Sequence, residues 1–253
     1  MSGRLTVVGL GPGDAALLPP LAVAALEEAD TVAGYTAYID LIAPRTLAGK
    51  TVLATGMTGE VARCRAALEA AASGKRVALV SSGDAGVYGM AGLALELLET
   101  MGLAGRVEFS AVPGIPAVCA AAALLGAPLT HDFAVVSLSD LLTPMEAILR
   151  RLEAALAADF VLALYNPRSR RRAGHLAGAL ALAGRYRAPQ TPVGMVKNAF
   201  RPGQEIRVTP LAAAEPDWAD MLTLVVIGNA STRLAAGSML TPRGYAGKYD
   251  LKS

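Results

Sequence analysis

Residues 5–14, with the sequence LTVVGLGPGD, decide the fold class of this chain. The first four residues are three apolar residues and a threonine, three of the four being β-branched, as in a buried strand, and residues 9–14 follow as a glycine-rich turn. Glycines at such a turn let the backbone bend sharply and approach a ligand closely. Pro12 removes an amide donor, and Asp14 places a carboxylate where a dinucleotide pyrophosphate would bind. The loop therefore fits a ligand-shaping loop or a plain tight turn better than a dinucleotide site.

The same pattern of a short β-branched run before an Ala/Leu-rich segment recurs along the chain. Alternation of strands and helices predicts parallel strands joined by crossovers, and hence an α/β fold. The predicted strands are residues 5–8, 31–33, 51–54, 76–81, 107–112, 133–137, 160–165, 193–197, 205–209 and 222–227, with a possible hairpin across 201–204. The predicted helices are residues 20–29, 60–72, 90–101, 115–125, 144–157 and 170–183. The stretch 126–132 (GAPLTHD) predicts a boundary between domains 1–127 and 128–236, followed by a tail, 237–253.

Composition excludes several classes of protein. The chain has 253 residues, of which 53% are hydrophobic and 17% charged, too apolar for a disordered chain. Its net charge of +2 gives no indication of nucleic-acid binding. The two cysteines, Cys64 and Cys119, have no metal-ligand spacing, so neither a disulfide framework nor a metal site is expected.

Mean hydropathy is +0.43, a value high enough to raise the question of membrane-spanning segments. The longest uncharged stretch near mid-chain, residues 110–129, is interrupted by three prolines and two glycines and predicts a buried helix with turns. Asp14 and prolines follow the first apolar run at once, unlike a signal peptide. We therefore expect a cytoplasmic protein without a membrane partner.

Two further glycine-rich turns follow predicted strands. Residues 81–89 (SSGDAGVYG) combine three glycines with an aspartate and a tyrosine, and residues 112–117 (VPGIPA) form the next strand-to-helix turn. Carboxyl ends of strands are where open α/β sheets bind ligands, so the second loop suits a cationic, nucleoside-like ligand. Asp84 could equally cap the start of a helix.

The second half of the chain is the more basic one. Residues 127–253 carry 15 basic and 10 acidic side chains, against 8 and 11 in residues 1–126. Arg168–Arg172 (RSRRR) suits a carboxylate-bearing ligand or a solvated surface equally well. Amide side chains end two strands of this half, in Tyr165-Asn166-Pro167 and Lys197-Asn198-Ala199. Of the two histidines, His175 is predicted on the surface, and His131 beside Asp132 is a candidate acid or base.

Four motifs in this order resemble the tetrapyrrole (cobalamin/sirohaem) S-adenosylmethionine-dependent methyltransferases: GLGPGD, SSGDAGVYG, VPGIPA and LYNP. Longer matches, GYTAYIDLI (34–42), HDFAVVSLSDLLTP (131–144) and ADFVLALYNPRSRRR (158–172), are similar to the members that methylate precorrin-3B at C(17) and to their anaerobic counterparts. The resemblance spans residues 3–230. It implies two α/β domains with S-adenosylmethionine in the cleft between them, in a homodimer.

The resemblance also assigns residues to the cofactor. The implied contacts come from the three turns and from the strand ends of the second half: Pro12, Ser82, Gly83, Asp84, Val87, Tyr88, Pro116, Ala117, Tyr165, Asn166, Asn198 and Ala199. The sequence departs from the family at Pro116, where Ser or Thr is usual, at Ala85, where many relatives have proline, and at Asn166, where some have Met.

The implied activity is methylation of precorrin-3B at C(17), with contraction of the macrocycle to precorrin-4. The tetrapyrrole carries many carboxylates, for which Arg168, Arg170 and Arg171 are the predicted partners. Contraction removes a hydroxyl proton, so His131, Asp14 and Lys197 are candidate bases, as are the carboxylates of the substrate itself.

Other interpretations remain open from the sequence. The cobalt-containing substrate of the anaerobic route is one, and an RNA methyltransferase of the same superfamily is another, which the charge disfavours. A dinucleotide-dependent oxidoreductase is the rival from a different class, and Pro12 and Asp14 count against it. A non-catalytic binding module would have no need of three glycine-rich turns at one sheet edge.

Overall fold

The chain forms two α/β units. The computed structural model describes residues 3–169 and 171–251, and it divides into Met1–Ala117 and Val118–Ser253. This division falls about ten residues before the boundary expected from the sequence. Helix α6 (Ala117–Leu125) accounts for the difference, because its Leu125 side chain lies 2.6 Å from where a Cβ on Gly194 would be, within the second unit.

The first unit contains one parallel five-stranded sheet. Its strands are β1 (Gly3–Gly9), β2 (Thr31–Tyr35), β3 (Thr51–Thr55), β4 (Arg76–Ser81) and β5 (Val107–Val112), in the order β3-β2-β4-β1-β5. Its helices are α1 (Pro20–Glu28), α2 (Thr36–Ile39), α3 (Pro44–Leu47), α4 (Glu60–Ala72) and α5 (Ala91–Thr100). Every neighbouring pair of strands in this sheet is parallel, which confirms the α/β prediction.

Helices cover both faces of this sheet, which explains its continuous apolar strands. Val7 packs in a core with α4 and α5, whereas the next residue, Val8, packs in a core with α1. Successive side chains of a strand point to opposite faces, so a strand buried on both sides must be apolar throughout.

The second unit contains a mixed five-stranded sheet and a small three-stranded one. The large sheet has the order β10-β9-β11-β8-β7. Its strands are β7 (Phe133–Ser137), β8 (Val161–Tyr165), β9 (Pro192–Lys197), β10 (Glu205–Pro210) and β11 (Thr223–Ile227), with helices α7 (Met145–Ala157) and α8 (His175–Ala183). The small sheet consists of β6 (Gly126–Ala127), β12 (Arg233–Ala235) and β13 (Ser238–Leu240).

Only part of the large second sheet follows the parallel pattern expected from the sequence. β7 and β8 are parallel, but β9 pairs antiparallel with both β10 and β11, and β11 pairs antiparallel with β8. The reason is the connection length: residues 198–204 link β9 to β10 as a hairpin, and no crossover helix separates β9, β10 and β11. The predicted hairpin is thus present.

The expected tail, 237–253, is in part a structural element of the second unit. Ser238–Leu240 forms β13, which pairs antiparallel with β12 and parallel with β6. The hydroxyl of Thr241 is buried and donates a hydrogen bond to the carbonyl of Pro128 at 2.7 Å. The small sheet therefore joins the segment that precedes the large sheet in the chain to the segment that follows it.

The predicted helix 170–183 begins five residues later, at His175. Asn166 has a left-handed backbone (φ 52°), and the amide of Arg172 donates back to the Ser169 carbonyl at 3.1 Å, forming a turn. The described arginines of the run, Arg168, Arg171 and Arg172, therefore precede the helix. Arg170 lies outside the described residues.

An exposed ion pair ties the end of α1 to the start of β4. The Arg76 guanidinium donates to both carboxylate oxygens of Asp30, at 2.7 and 3.2 Å, and the Arg76 amide donates to the same carboxylate at 3.0 Å. The Arg76 side-chain hydrogen bonds are the main cause that lowers the pKa of Asp30 from 3.8 to about 2.

We expect this pair to make stability depend on acid. A carboxyl whose pKa is lowered by folding stabilises the fold fully above its unfolded value, near 4, and the contribution disappears as pH falls through about 2. Asp30→Asn should therefore flatten the fall in melting temperature between pH 4 and pH 2, as followed by circular dichroism. Parallel curves for the two proteins would contradict the assignment.

Candidate functional site

The three glycine-rich loops of the first unit lie side by side. They follow β4, β1 and β5, which are neighbours in the sheet and run parallel. Since the carboxyl ends of parallel strands meet at one edge, the loops 9–14, 81–90 and 112–117 meet there too. The structure thus brings together the three motifs that the sequence placed at one sheet edge.

These loops contact one another through their backbones. Gly11 and Gly83 exchange two amide-to-carbonyl hydrogen bonds, at 3.0 and 2.8 Å. A Cβ on Gly114 would lie 2.0 Å from the Gly83 carbonyl oxygen, and one on Gly9 would lie 2.6 Å from the Gly114 nitrogen. No side chain larger than hydrogen fits at these two positions, so the glycines are needed for the close approach of the strands' ends.

Asp84 joins the second loop to the third. Its Oδ1 accepts hydrogen bonds from the amides of Gly86 and Val87 at 2.7 and 3.1 Å, and its Oδ2 accepts one from the amide of Gly114 at 3.0 Å. The carboxylate therefore caps amides, the alternative that the sequence left open, and does so across two loops. Any influence on a bound ligand comes through its charge and through the loop shape it maintains.

Val87 and Tyr88 are the exposed side chains of the second loop, with 37% and 56% of their surface accessible. Tyr88 has a left-handed backbone (φ 52°), a conformation that costs a bulky residue about 1–3 kcal/mol and that is concentrated at functional sites. A Cβ on the next residue, Gly89, would lie 2.4 Å from the Ala85 carbonyl oxygen, so the turn leaves little freedom. Of the other predicted residues of this unit, Pro12 is buried, and Ser82, Pro116 and Ala117 are half-buried.

Asp14 is exposed and caps a short helix. Its Oδ1 accepts a hydrogen bond from the Ala16 amide at 2.8 Å, at the start of the 3-10 helix Ala15–Leu17. A dinucleotide site needs free amides at the start of a longer helix in this position. The loop of this chain offers a carboxylate and a single helical turn, which counts against a bound pyrophosphate.

The candidate residues of the second unit lie at the carboxyl ends of β8 and β9. These strands run in the same direction, because each is antiparallel to β11, which lies between them. The side-chain amide of Asn166 donates to the Ser137 hydroxyl at 2.9 Å, and the Tyr165 hydroxyl accepts from the Val118 amide at 3.0 Å. Asn166 is thereby fixed at the edge that β7 and β8 share.

Asn198 has a left-handed backbone as well (φ 48°) and organises the β9–β10 connection. Its side-chain amide donates to the Gly203 carbonyl at 3.2 Å, and its carbonyl accepts from the Arg201 amide at 2.8 Å. Ala199 follows it and is half-buried. The hairpin shape therefore determines where the Asn198–Ala199 backbone lies.

Lys197 lies beside an aromatic ring and a carboxylate. Its Nζ lies 4.2 Å from the Trp218 ring centroid and 3.9 Å from a carboxylate oxygen of Asp220. The guanidinium carbon of Arg207 lies 4.7 Å from the same ring.

His131 lies at the opposite edge from the other candidates of the second unit. It precedes the first residue of β7, whereas Tyr165, Asn166 and Lys197 lie at the carboxyl ends of the strands. Its Nδ1 accepts from the Asp132 amide at 2.8 Å. The structure therefore does not bring His131 together with them.

His175 is the residue that the sequence analysis missed. It is half-buried rather than a surface side chain, and it lies at the carboxyl edge, where its Nδ1 is 3.0 Å from the Leu138 carbonyl oxygen that follows β7. Its other ring nitrogen, Nε2, lies 3.6 Å from a carboxylate oxygen of Asp140. The sequence signal was the histidine at the start of a helix that follows a strand end.

The arginine run has exposed and buried members. Arg168 is paired with Asp217, and Arg171 is exposed. Arg172, which was not among the predicted substrate residues, is 7% exposed, and its Nη2 contacts the Met221 sulfur at 3.4 Å while its Nε has no hydrogen-bond partner.

Residues 3–169 and 171–251 offer no metal site and no membrane-spanning helix. In that part of the chain no group of three acidic, histidine or cysteine side chains has the arrangement of a metal site. No helix there has both the length and the apolar character needed to cross a bilayer. Burial raises the pKa of the Cys64 thiol to about 11, so this cysteine is not a thiolate nucleophile at neutral pH.

Comparison with known proteins gives a consistent assignment. The family model of the Tetrapyrrole (Corrin/Porphyrin) Methylases matches residues 4–215. A probable cobalt-factor III C(17)-methyltransferase of Salmonella typhimurium is 50% identical over 241 residues, which cover 95% of this chain and 99% of that protein. A precorrin-3B C(17)-methyltransferase of Sinorhizobium sp is 40% identical, over 98% of this chain and 99% of that protein.

Solved structures give the same result. The crystal structure of the methyltransferase CobJ is 43% identical with a TM-score of 0.91, over 95% of this chain and 100% of that one. A uroporphyrin-III C-methyl transferase from Thermus thermophilus, complexed with S-adenyl homocysteine, is 26% identical with a TM-score of 0.66, over 89% and 97% of the two chains.

The contact between loops predicts a large effect of one methyl group. Gly114→Ala should lower the free energy of unfolding by about 3 kcal/mol or more, because backbone atoms of Gly9 and Gly83 cannot move aside independently. The matched control is Gly92→Ala in α5, where a Cβ meets nothing within 4 Å and a gain of about 0.5–1 kcal/mol is expected. Urea denaturation measures both, and equal stabilities would contradict the crowded geometry.

The bridge between loops predicts a cost for removing the Asp84 carboxylate. Asp84→Ala leaves three amides without their acceptor and should lower the free energy of unfolding by about 2–4 kcal/mol. Asp40→Ala is the control, since that exposed carboxylate makes no hydrogen bond or ion pair with a described residue, and a change within about 0.5 kcal/mol is expected. If both variants melt together, the carboxylate does not organise the loops.

Proposed function

Because the chain belongs to the tetrapyrrole (corrin/porphyrin) methylases, we propose that it transfers a methyl group from S-adenosylmethionine to C(17) of precorrin-3B. The reaction includes contraction of the macrocycle to precorrin-4, a step of cobalamin biosynthesis. The observation that carries the proposal is the cluster of three loops held together by Gly9, Gly83, Gly114 and Asp84. It lies on the motifs through which the sequence resembles the family.

The first-unit loops fit a nucleoside-like cation. S-adenosylmethionine supplies a methyl group that is already activated on a sulfonium. In this chain Val87 and Tyr88 offer exposed apolar and aromatic surface beside the Asp84 carboxylate. The left-handed backbone of Tyr88 fixes the position of that surface, and the folded loop offsets the free-energy cost of this conformation.

The chain's own contribution is to bind and orient the reactants. Methyl transfer is an in-line displacement, so alignment and exclusion of water supply much of the acceleration. The mechanism needs no nucleophilic cysteine, in keeping with the buried Cys64 thiol. We include Pro12, Ser82, Gly83, Pro116 and Ala117 in the cofactor-binding set on the strength of the family motifs.

Residues of the second unit are proposed for both ligands. We assign Tyr165, Asn166, Asn198 and Ala199 to the cofactor, because their strand ends carry the left-handed and hydrogen-bonded backbone described above. Arg168 and Arg171 are assigned to the carboxylates of the tetrapyrrole, and Arg170 is assigned from the sequence alone.

Ring contraction requires a base for a hydroxyl proton. Lys197 and His175 lie at the carboxyl edge of the second sheet, whereas His131 lies at the other edge and Asp14 caps a helix. The Leu138 carbonyl orients the His175 ring at this edge, so we add His175 to the candidates.

The cobalt-containing substrate of the anaerobic route is the second candidate. The relative from Salmonella typhimurium, at 50% identity, is named for cobalt-factor III, and the relative named for precorrin-3B is 40% identical. A dinucleotide-dependent oxidoreductase receives no support, because Asp14 caps a single turn where a pyrophosphate would need free amides. The homodimer and the cytoplasmic location stay predictions from the sequence.

The decisive experiment combines both substrates with a labelled donor. The purified protein is incubated with methyl-labelled S-adenosylmethionine and either precorrin-3B or cobalt-factor III, and mass and absorbance spectra are recorded. We expect one labelled methyl group and a changed chromophore with precorrin-3B. Transfer to cobalt-factor III alone would select the second candidate, and absence of donor binding in calorimetry would overturn the proposal.

A further inference from the structure

Arg63 is a buried guanidinium whose hydrogen-bonding capacity is not satisfied. Its residue is 3% exposed, and its Nε and Nη1 atoms make no hydrogen bond. None of the ion pairs formed by residues 3–169 and 171–251 includes it. A guanidinium stays protonated in proteins, and a buried charge is normally paired or fully hydrogen-bonded. The chain therefore maintains an unfavourable group in its first unit.

A second buried arginine shows how this chain satisfies such a group when its role is structural. Arg187 donates to the carbonyl oxygens of Gly228, Leu156 and Phe160 at 3.0–3.2 Å, and it lies 3.2 Å from the Asp159 carboxylate. All three of its nitrogens have acceptors. Arg63 is at least as buried and lacks this set of acceptors.

The surroundings of Arg63 are the carboxyl ends of β2 and β3. Its guanidinium carbon lies 5.9 Å from the Tyr35 ring centroid, and Tyr35 is the register partner of Thr55 on β3. The Thr55 hydroxyl is buried and has no partner either. It lies 3.2 Å from where a Cβ on Gly59 would be, and Gly59 is the N-cap of α4, one turn before Arg63.

These groups together suit a carboxylate. Two guanidinium nitrogens and a hydroxyl are donors, and no side chain caps the N-terminus of α4. An anion at a helix N-terminus is favoured by the dipole. The one acidic residue of this helix turn, Glu60, is exposed to solvent, which screens it.

The connection between β3 and α4 provides a way in. Its residues 56–59 have the sequence Gly-Met-Thr-Gly, in which Met57 is 65% exposed. Thr58 has φ 67°, a left-handed conformation that is an outlier for a β-branched residue. A segment with two glycines and one strained residue can change conformation at low cost, and such a change would open Arg63 to a ligand.

We propose that Arg63 and Thr55 bind a peripheral carboxylate of the tetrapyrrole substrate. The inference rests on the proposed function and adds a substrate contact to it. β3 is separated from β4 by one strand, so at about 4.8 Å per strand its end lies about 10 Å from the loop after β4. That span is comparable with a tetrapyrrole macrocycle, whose carboxylates are distributed around its rim.

The test uses Arg63→Met, which keeps an apolar side chain of similar reach. Loss of a charged hydrogen bond should raise the KM for the tetrapyrrole about tenfold to a hundredfold, with kcat and the KM for the methyl donor unchanged. Its melting temperature should stay the same or rise, because an unpaired buried charge is removed. Thr55→Val should raise the same KM by a smaller factor.

Arg187→Met is the matched control for burial. It should melt at a much lower temperature, since it removes the donor to four carbonyl oxygens and the ion pair with Asp159. An equally large loss of melting temperature in Arg63→Met would mean that Arg63 is structural, and an unchanged KM for the tetrapyrrole would mean that it does not touch substrate. Either result overturns the proposal.

Two binding measurements separate the source of the carboxylate and the status of the proposed function. Calorimetry compares the tetrapyrrole with its methyl ester, and the wild type should lose more affinity on esterification than Arg63→Met, in which this contact is already absent. If acetate alone raises the melting temperature of the wild type and the two proteins bind the tetrapyrrole equally, the site takes a free anion and the substrate assignment fails. Tetrapyrrole binding that depends on Arg63 without any methyl transfer would overturn the proposed function and retain the site.

Discussion

The constraint on which the first unit depends is the direct contact of three backbones at Gly9, Gly83 and Gly114. Ordinary loops are separated by side chains, which leave room for independent movement. Here the carbonyl of one loop occupies the place where the next would carry a Cβ, so the three loops behave as one body. Asp84 adds a charged link by accepting amides from two of them. A ligand at this edge meets a surface whose shape is determined before it arrives.

Backbone strain occurs at strand ends of both units. Tyr88, Asn166 and Asn198 all have positive φ angles, and all three belong to the strand-end motifs of the chain. Asparagine adopts this conformation more readily than most residues, whereas tyrosine does so at a real cost. The cost is tolerated because hydrogen bonds and packing around each turn leave no alternative conformation. Of these three, Tyr88 and Asn166 lie in motifs through which the chain resembles the tetrapyrrole methylases.

The sequence predicted the elements whose cause is local. Alternating strand and helix patterns identified the parallel first sheet, and glycine spacing identified the three loops. The sequence did not predict the antiparallel pairs of the second sheet, because short connections such as 198–204 differ little in composition from crossover loops. It also placed the start of α8 too early, because the turn between Ser169 and Arg172 uses residues with good helix propensity.

Residues whose role depends on distant partners were beyond local patterns. Arg63 lies in a helix of ordinary amphipathic composition. That its Nε and Nη1 lack hydrogen-bond acceptors is visible only when the ends of β2 and β3 are placed beside it. His175 was taken for a surface residue, because nothing in the sequence shows that its ring nitrogen meets the carbonyl of Leu138, 37 positions away. His131 is the reverse case. Its neighbour Asp132 made it a candidate acid or base, but it precedes β7 and so lies at the other edge of the sheet from the remaining candidates of this unit.

The pairing of β6 with β13 has a topological consequence. β6 stands near the start of the second unit and β13 near its end, yet they lie side by side in one small sheet. The unit is therefore closed upon itself, with its entry and exit strands adjacent. A closed unit can in principle be cut at an exposed connection elsewhere and rejoined at this seam without a change of fold. Its order along the polypeptide is thus less constrained than its arrangement in space.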